Sequence, residues 1–209
     1  MLKRKPADSK HGRARNQRTR QKLLSRAMAL VGRGRVPSIA EVALSAGVSR
    51  ATAYRYFPSR SKLIAAVVAE SLEPVQRFEP GDGDGRQRVR ELFAQTFPQF
   101  KEFEPQMRAA LQLSLEHESL ERAGLLEEEA YRRGMRRDLL RRAAGPLRRR
   151  LGTKGFDRLV KALSLIYGIE PYVVLKDIWG ASDREVEAIA RWMVDALFDA
   201  ALGQKGHHG

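Results

Sequence analysis

The chain has 209 residues, with 39 Lys and Arg against 25 Asp and Glu, and its formal net charge is +14. It contains no cysteine, which excludes disulfides and thiolate metal sites and suits a reducing compartment. No apolar run reaches the length of about 18 residues that a membrane-spanning helix needs, and no secretory signal opens the sequence, so we expect a cytoplasmic protein without membrane contact.

The positive charge is concentrated in the first third of the chain. Residues 1–60 carry fifteen Lys or Arg against two acids, so the remaining residues contribute a net charge of +1. A polyanionic partner is the simplest reason for such segregation. Residues 1–16 are too polar to fold alone and are expected to form a flexible basic arm. For the first twelve of them, a solubilising tail is an equal alternative.

A helix-turn-helix is predicted after a first helix that runs from about Gln17 to Gly32. Ser38 and Glu41 have the spacing of a capping box, in which each side chain binds a backbone donor at the start of a helix. Gly47 suits the left-handed turn that ends this short helix, and Ser49 can cap the next one. In such a motif the second helix lies in the major groove of DNA.

The residues from Ala46 to Leu63 carry a longer signature, Ala-Gly-Val-Ser-x-x-x-x-Tyr-x-Tyr-Phe-Pro-Ser-Arg-x-x-Leu. This signature resembles the DNA-binding motif of the tetracycline-repressor family of regulators. It departs from the family pattern at Arg60, where Lys is usual, at Ala40, where a cation is common, and at Ala53, where a larger aliphatic residue is common. The resemblance implies an all-α homodimer with a DNA-binding N-terminal domain and a C-terminal domain that binds a small molecule.

The second helix of the motif is predicted to read double-stranded DNA. Arginine can grip guanine through two parallel hydrogen bonds, so Arg50 and Arg55, with Ala51 between them, are the candidate base contacts. Hydroxyls and other cations mostly bind phosphates. The candidate phosphate contacts are Ser38, Ser49, Thr52, Tyr54, Tyr56 and Arg60, with Arg13, Arg15, Arg18 and Arg20 of the arm as minor-groove contacts. A helix-turn-helix used only for packing is the alternative.

Only helices are expected beyond the motif. They are predicted at residues 60–72, 86–103 with a bend or break at Pro98, 105–117, 120–150 with an interruption at Gly145, 156–178 and 183–202. The segment from Glu79 to Gly85 is predicted to be a flexible connector, because its Asp and Gly residues lack the spacing of a calcium loop. The arginine run from Arg132 to Arg150 is interpreted as an ion-paired outer face, with a second nucleic-acid patch as the alternative.

The last two helices are apolar over more of their circumference than one core requires. We therefore expect them to form a four-helix bundle with a second copy of the chain, although a wholly internal core is the alternative. The predicted dimer contacts are Phe156, Leu163, Val174, Ile189, Met193 and Leu197.

A small-molecule pocket is expected among the helices that neither dimerisation nor DNA binding needs. Its candidate residues are Phe93, Phe97, Met107, Leu111, His117, Tyr131, Tyr167 and Glu170, and each could instead be a satisfied core group. Glu170, if buried, requires a donor or a cationic ligand. No catalytic motif, metal-ligand spacing or cofactor loop was found, so we predict neither enzyme activity, a metal nor a cofactor.

The sequence thus predicts an all-α fold of about nine helices, with a three-helix DNA-binding domain and a larger dimerisation and ligand-binding domain. Its function is predicted to be a homodimeric repressor that an apolar or amphipathic ligand releases from a palindromic operator. One alternative is a DNA-independent ligand-binding protein or enzyme with a vestigial helix-turn-helix. Another is an architectural protein that coats DNA. The predicted segments are the arm 1–16, the domains 17–60 and 61–203, and a tail 204–209.

Overall fold

The structure, a computed structural model, describes residues 8–203, with side chains from residue 13 onward. This part of the chain contains eleven α-helices and no strand, which confirms the predicted all-α class. The helices are α1 (Asp8–Val31), α2 (Ile39–Ala46), α3 (Arg50–Tyr56), α4 (Arg60–Ser71), α5 (Glu73–Gln76), α6 (Gly85–Glu102), α7 (Glu104–Arg122), α8 (Met135–Ala143), α9 (Arg148–Ile166), α10 (Glu170–Trp179) and α11 (Asp183–Gly203), with a 3₁₀ turn at Gly145–Leu147.

The first helix is longer than predicted. It starts at Asp8 rather than near Gln17, so residues 8–16, which were assigned to the arm, are helical. Their high content of polar side chains made them look unable to fold alone, but they extend a helix that is anchored further along by the buried Leu23, Leu24 and Ala27. The first seven residues of the predicted arm and the predicted tail lie outside the described residues.

The predicted helix over residues 120–150 is wrong, because glycine divides this segment. Gly124 has a φ of 71° and ends α7, with the amide of Leu125 donating to the carbonyl of Leu120 at 2.9 Å. No helix follows until Met135. Charged residues four positions apart suggested one long helix. The same spacing continues through this non-helical segment, where residues four apart do not share a helical face.

The predicted helix over residues 156–178 is also two helices. Gly168 has a φ of 119°, which a residue with a side chain rarely adopts, and it separates α9 from α10. Pro171 then occupies the first turn of α10, where its missing N–H costs no hydrogen bond. In contrast, α6 contains Pro98 without a break.

The described chain divides into two compact units. The first joins the helices up to Glu70 to the segment Ala109–Tyr131. Its core is made of side chains from α1, α2, α3 and α4 together with Ala109, Ala110, Leu113 and Tyr131. The first unit therefore extends past residue 60, where the predicted domain ended, and takes in a second, later part of the sequence.

The second unit contains Ser71–Arg108 and the chain from Arg132 onward. Its centre is a cluster of aromatic rings from α6, α10 and the link before α10, with neighbouring centroids 5.0–6.0 Å apart. These rings are Phe93, Phe97, Phe100, Tyr167 and Tyr172. Among the described residues, no helix has both the length and the apolar content to cross a membrane.

Candidate nucleic-acid interface

The turn between α2 and α3 has the capping geometry that the sequence predicts. The Ser38 Oγ accepts from the amide of Glu41 at 3.2 Å, and the Glu41 carboxylate accepts from the amide of Ser38 at 2.8 Å. These bonds to Ser38 hold the pKa of Glu41 below its ordinary value, with a further contribution from the paired Arg35. Gly47 has a φ of 59° and a ψ of 42°, so the predicted left-handed turn is present.

The third helix is capped by Ser49, whose Oγ accepts from the amide of Thr52 at 3.2 Å. The inner face of α3 is anchored by Ala53, and that of α2 by Ala43, each 1% exposed. Because Ala53 has the smallest side chain after glycine, its helix can lie close to α2. The caps and this contact fix the orientation of α3.

The outer face of α3 is exposed to solvent. Arg50, Ala51 and Arg55, which were predicted to contact bases, are all exposed, and Tyr54 between them is 48% exposed. None of these four side chains is used by the core of the first unit. The structure therefore places the predicted base-reading residues together on one open helical face.

The other predicted contacts on this motif have structural roles as well. The side chains of Ser38 and Ser49 are occupied as helix caps, and Thr52 is partly buried beside Ser49, whose hydroxyl donates to the Thr52 Oγ1 at 2.9 Å. The Tyr56 hydroxyl donates to the Oδ1 of Asn16 at 3.1 Å. These contacts preorganise the motif, since they fix hydroxyls that would otherwise rotate.

The first helix brings further cations to the end of α3. The guanidinium of Arg20 lies 5.6 Å from the centre of the Phe57 ring, just beyond α3. Arg13, Asn16 and Arg20 share one face of α1 because they are spaced by three and four residues. Arg13 is exposed. The arginines predicted to reach DNA from a flexible arm are thus presented from a helix.

Arg60, a predicted phosphate contact, has a carboxylate partner within the first unit. Its guanidinium forms two bonds to the Glu116 carboxylate of α7, at 2.7 and 3.2 Å. The hydrogen bond from Arg60 is also the main reason that the pKa of Glu116 lies below its ordinary value. Because the pair joins residues 56 positions apart, nothing in the local motif could reveal it.

Two more acids lie at the start of α4. The Glu129 carboxylate pairs with Lys62 at 2.6 Å, and the Glu128 carboxylate accepts from the amide of Ser61 at 3.4 Å. The Nε2 of His117, a side chain 2% exposed, lies 3.2 Å from Glu128. The segment after α7 therefore holds the beginning of α4 through carboxylates, and it does so within the first unit.

Glu116→Gln is expected to tighten duplex binding by about two- to fivefold and to steepen the salt dependence by up to about one phosphate contact per chain, because Arg60 is no longer neutralised. The stability loss should stay below about 1 kcal/mol, since the ion pair is partly exposed. Titration of a labelled duplex at several salt concentrations measures both effects. Glu118→Gln, which removes the same charge from the same helix, is the control and should change binding less. Equal binding by the two variants would contradict a role for Arg60 at DNA.

The predicted dimer contacts fall into two groups. Phe156 and Leu163 are 2% and 0% exposed, so they are core residues of the protomer and cannot meet a partner. Val174, Ile189 and Met193 are exposed, and Leu197 is partly buried. The wide apolar arc of α11 is divided in the same way, because Val186, Ala190, Val194 and Phe198 face inward.

Besides the exposed residues among the predicted dimer contacts, α10 and α11 carry three more large apolar side chains that are exposed. Ile178 and Trp179 on α10 are 72% and 76% exposed, and Trp192 on α11 is 70% exposed. We call Val174, Ile178, Trp179, Ile189, Trp192 and Met193 the apolar patch. The dimer contacts predicted from the sequence did not include Trp179 or Trp192, because these residues lie outside the inward arcs. The signal that could have identified these tryptophans is the presence of large apolar residues of α10 and α11 outside the inward arcs.

The predicted pocket residues do not form one group. Leu111, His117 and Tyr131 belong to the first unit, where the amide of Tyr131 donates to the Nδ1 of His117 at 3.1 Å. Phe93, Phe97 and Tyr167 belong to the aromatic cluster of the second unit. Met107, in the second unit's part of α7, is 9% exposed.

Glu170 already has the donors that its position requires. Its Oε1 accepts from Arg133 at 2.8 Å and from Arg136 at 2.6 Å. Burial opposes its ionisation, but the hydrogen bond from Arg136 and the two positive charges outweigh this and hold its pKa below the ordinary value. Of the two options that the sequence left open, a donor or a cationic ligand, the structure supplies the donor, because two guanidinium groups bind the carboxylate.

The described residues contain no group of three or more His, Asp or Glu side chains that could hold a metal ion. Residues 24–67 match the family described as bacterial regulatory proteins, tetR family. A crystal structure of a tetR-family transcriptional regulator from Streptomyces coelicolor is similar to this chain, with a TM-score of 0.59 and 22% identity over 90% of this chain and 83% of that one. No curated protein matches the sequence.

At this identity the similar structure shows the shared fold, whereas the family match covers the helix-turn-helix itself. The match begins within α1, includes the exposed face of α3 and ends in α4. The resemblance that the sequence motif indicated is confirmed, and the findings support a transcriptional regulator.

Proposed function

We propose that this chain, whose residues 24–67 match the tetR family of bacterial regulatory proteins, is a homodimeric repressor that a small apolar or amphipathic ligand releases from a palindromic operator. The observation that carries the proposal is the open face of α3, where Arg50, Ala51, Tyr54 and Arg55 are presented on a helix fixed by caps at both sides of its turn. Two arginines on one short helix can each grip a guanine. The rest of the chain then supplies assembly and control.

The test of operator reading is selection of bound sites from a pool of random duplexes. A dimeric regulator should enrich an inverted repeat whose half-site centres lie about 34–36 Å apart, which is one turn of the duplex. An architectural DNA-coating protein would enrich no sequence. A chain with a vestigial helix-turn-helix would also enrich no sequence, and its duplex binding would not change when Arg50 and Arg55 are replaced by alanine, so the selection together with this variant separates the three functions.

The apolar patch supports the dimer part of the proposal. A soluble protein rarely leaves several large apolar side chains exposed together unless they meet a partner. The patch lies on α10 and α11, which pack on each other. A two-fold axis through the patch would bury it in both copies, and the four helices would form one bundle. Such a dimer brings two copies of α3 into one molecule.

The aromatic cluster supports the ligand part. Burial raises the pKa of Tyr167, and the neighbouring Thr96 hydroxyl, which donates to the Leu92 carbonyl at 2.6 Å, opposes this effect. The Tyr167 hydroxyl and the Oε2 of Glu170 are both buried without a hydrogen-bond partner among the described residues. Unpaired polar atoms beside an apolar cluster are what a small ligand with one polar end would satisfy.

Tyr167→Phe is expected to raise the free energy of unfolding by up to about 1 kcal/mol in the absence of ligand, because it removes a buried hydroxyl without a partner. The same variant should bind a ligand at least about tenfold more weakly if the hydroxyl contacts it. A thermal-shift screen of apolar and amphipathic compounds, followed by operator titrations with each hit, measures both effects.

The matched control is Tyr172→Phe, since the Tyr172 hydroxyl donates weakly to the Phe97 carbonyl at 3.4 Å. This variant should not be stabilised. A compound that raises the melting temperature without changing operator affinity is bound but does not regulate. A screen without any hit would leave the second unit as a dimerisation scaffold.

A further inference from the structure

The arginine-rich segment of the second unit is divided by the structure into paired and unpaired cations. Arg133 and Arg136 bind Glu170, Arg141 pairs with Asp157 at 3.0 Å, and Arg142 pairs with Glu79 at 3.1 Å. The expected ion-paired face thus exists on and beside α8. Its acidic partners come from distant parts of the sequence rather than from the preceding acids.

The cations of α9 are different. Arg149, Arg150, Lys154 and Lys161 are exposed, and none of them has an ion pair within the described residues. Asp157 is the acid nearest to them in the sequence, and it is held by Arg141. We call these four residues the α9 basic surface.

The backbone of α9 presents these side chains in two groups. Gly152, with a φ of 66° and a ψ of 173°, interrupts the helix, so that Arg149 and Arg150 lie on a short turn before it. Lys154 and Lys161 follow, and because they are seven residues apart they share one face, about 10 Å from each other along the axis. The positive charge of the α9 basic surface is therefore distributed along α9 rather than concentrated at one point.

We propose that the α9 basic surface binds the phosphate backbone of double-stranded DNA without reading its sequence. Like charges close together repel, so these cations do not help the unit to fold, and an extended polyanion neutralises them. This surface belongs to the second unit, whereas α3 belongs to the first, and the proposal does not depend on the proposed repressor function.

The composition of the surface favours nucleic acid over other anionic partners. The core of a protein interface and a membrane-binding helix both need exposed apolar side chains. No large apolar residue between Arg148 and Lys161 is exposed, and Phe156 is buried; Leu165, one turn beyond Lys161, is the one large apolar residue of α9 that is exposed. Phosphate binding needs only cations, which is what this surface has.

The test uses the full-length chain with Arg149→Gln, Arg150→Gln, Lys154→Gln and Lys161→Gln, titrated against a duplex that contains no operator. The control carries Arg77→Gln, Lys101→Gln, Arg122→Gln and Arg137→Gln, which removes the same charge from exposed positions elsewhere. We expect the α9 variant to bind at least about tenfold more weakly than the control and to lower the salt slope by about two or more.

Two arms separate the sources of the phosphate. Energy transfer between two differently labelled duplexes, present with wild type and lost in the α9 variant, indicates a second duplex. A changed salt slope without energy transfer indicates the flank of the same duplex. Both outcomes support the proposal. Equal affinities and slopes for the α9 variant and the control overturn it.

Anionic phosphatidylserine vesicles provide the last arm. Selective loss of vesicle binding in the α9 variant, with duplex binding equal to that of the control, would assign the surface to a membrane and overturn the proposal. Because the duplex has no operator, none of these outcomes bears on the reading of DNA by α3. Thermal unfolding checks that both variants fold.

Discussion

Replacing Arg50 and Arg55 together by alanine is expected to weaken binding to the selected operator at least about a thousandfold. Each guanine-gripping arginine contributes about 1–3 kcal/mol of discrimination, and a dimer would use two from each copy of α3. The exposed position of both side chains means that the variant should fold like the wild type. Operator titration by fluorescence anisotropy measures the loss, and circular dichroism checks the fold.

The control for this variant replaces Arg26 and Arg33, which are exposed in the same unit but lie outside α3. The control removes the same charge, so both variants should lose the same electrostatic part of the binding free energy. The Arg50 and Arg55 variant alone should also lose the contacts to bases. Binding to random duplex should fall by a similar, modest factor in the two. If operator binding also fell equally, the reading helix would be misassigned.

Trp192→Glu is expected to convert the dimer into a folded monomer at micromolar concentration. The side chain is 70% exposed in the protomer, so the charge costs little there, but an interface formed by the apolar patch would bury it unpaired in both copies. Such a charge costs several kcal/mol, which corresponds to a rise of about a hundredfold or more in the dissociation constant of the dimer. Sedimentation equilibrium measures this change.

The operator affinity of Trp192→Glu should also fall, although α3 is unchanged, because a monomer binds only one half-site. Leu125→Glu is the control, since Leu125 is 66% exposed and lies outside the patch. A charge at Phe198 of the same helix would not test the interface, because this side chain is 0% exposed and its substitution would unfold the protomer. A wild type that sediments as a monomer, or a Trp192→Glu variant that remains dimeric, would contradict the proposal that the apolar patch forms the dimer interface.

The parts of this fold that the sequence predicted are those that depend on neighbouring residues. Ser38 and Glu41 are three positions apart, and so are Ser49 and Thr52, so both caps can be deduced from spacing alone. The turn at Gly47 follows from the preference of glycine for positive φ. These local rules locate α2 and α3 and therefore the candidate reading face.

The predictions that the structure corrected or could not support locally depend on distant residues, or on which of several glycines adopts a positive φ and ends a helix. Gly168 breaks a helix, whereas Gly155 lies within one, and apolar periodicity does not distinguish them. Arg60 finds Glu116, and Glu170 finds Arg133 and Arg136, across 34 to 56 positions. Spacing along the sequence could therefore reveal neither the partner of Arg60 nor the two donors to Glu170.

The first unit has a consequence for the order in which the protein acquires its shape during synthesis. Its core includes Ala109, Ala110, Leu113 and Tyr131, so the helices up to Glu70 lack part of their packing when they leave the ribosome. At ordinary translation rates of about 5–20 residues per second, the missing segment follows roughly 3–12 s later. The nascent reading helix is therefore incompletely supported for seconds, and a stalled or truncated product that ends near residue 70 should be recognised by chaperones and proteases as unfinished.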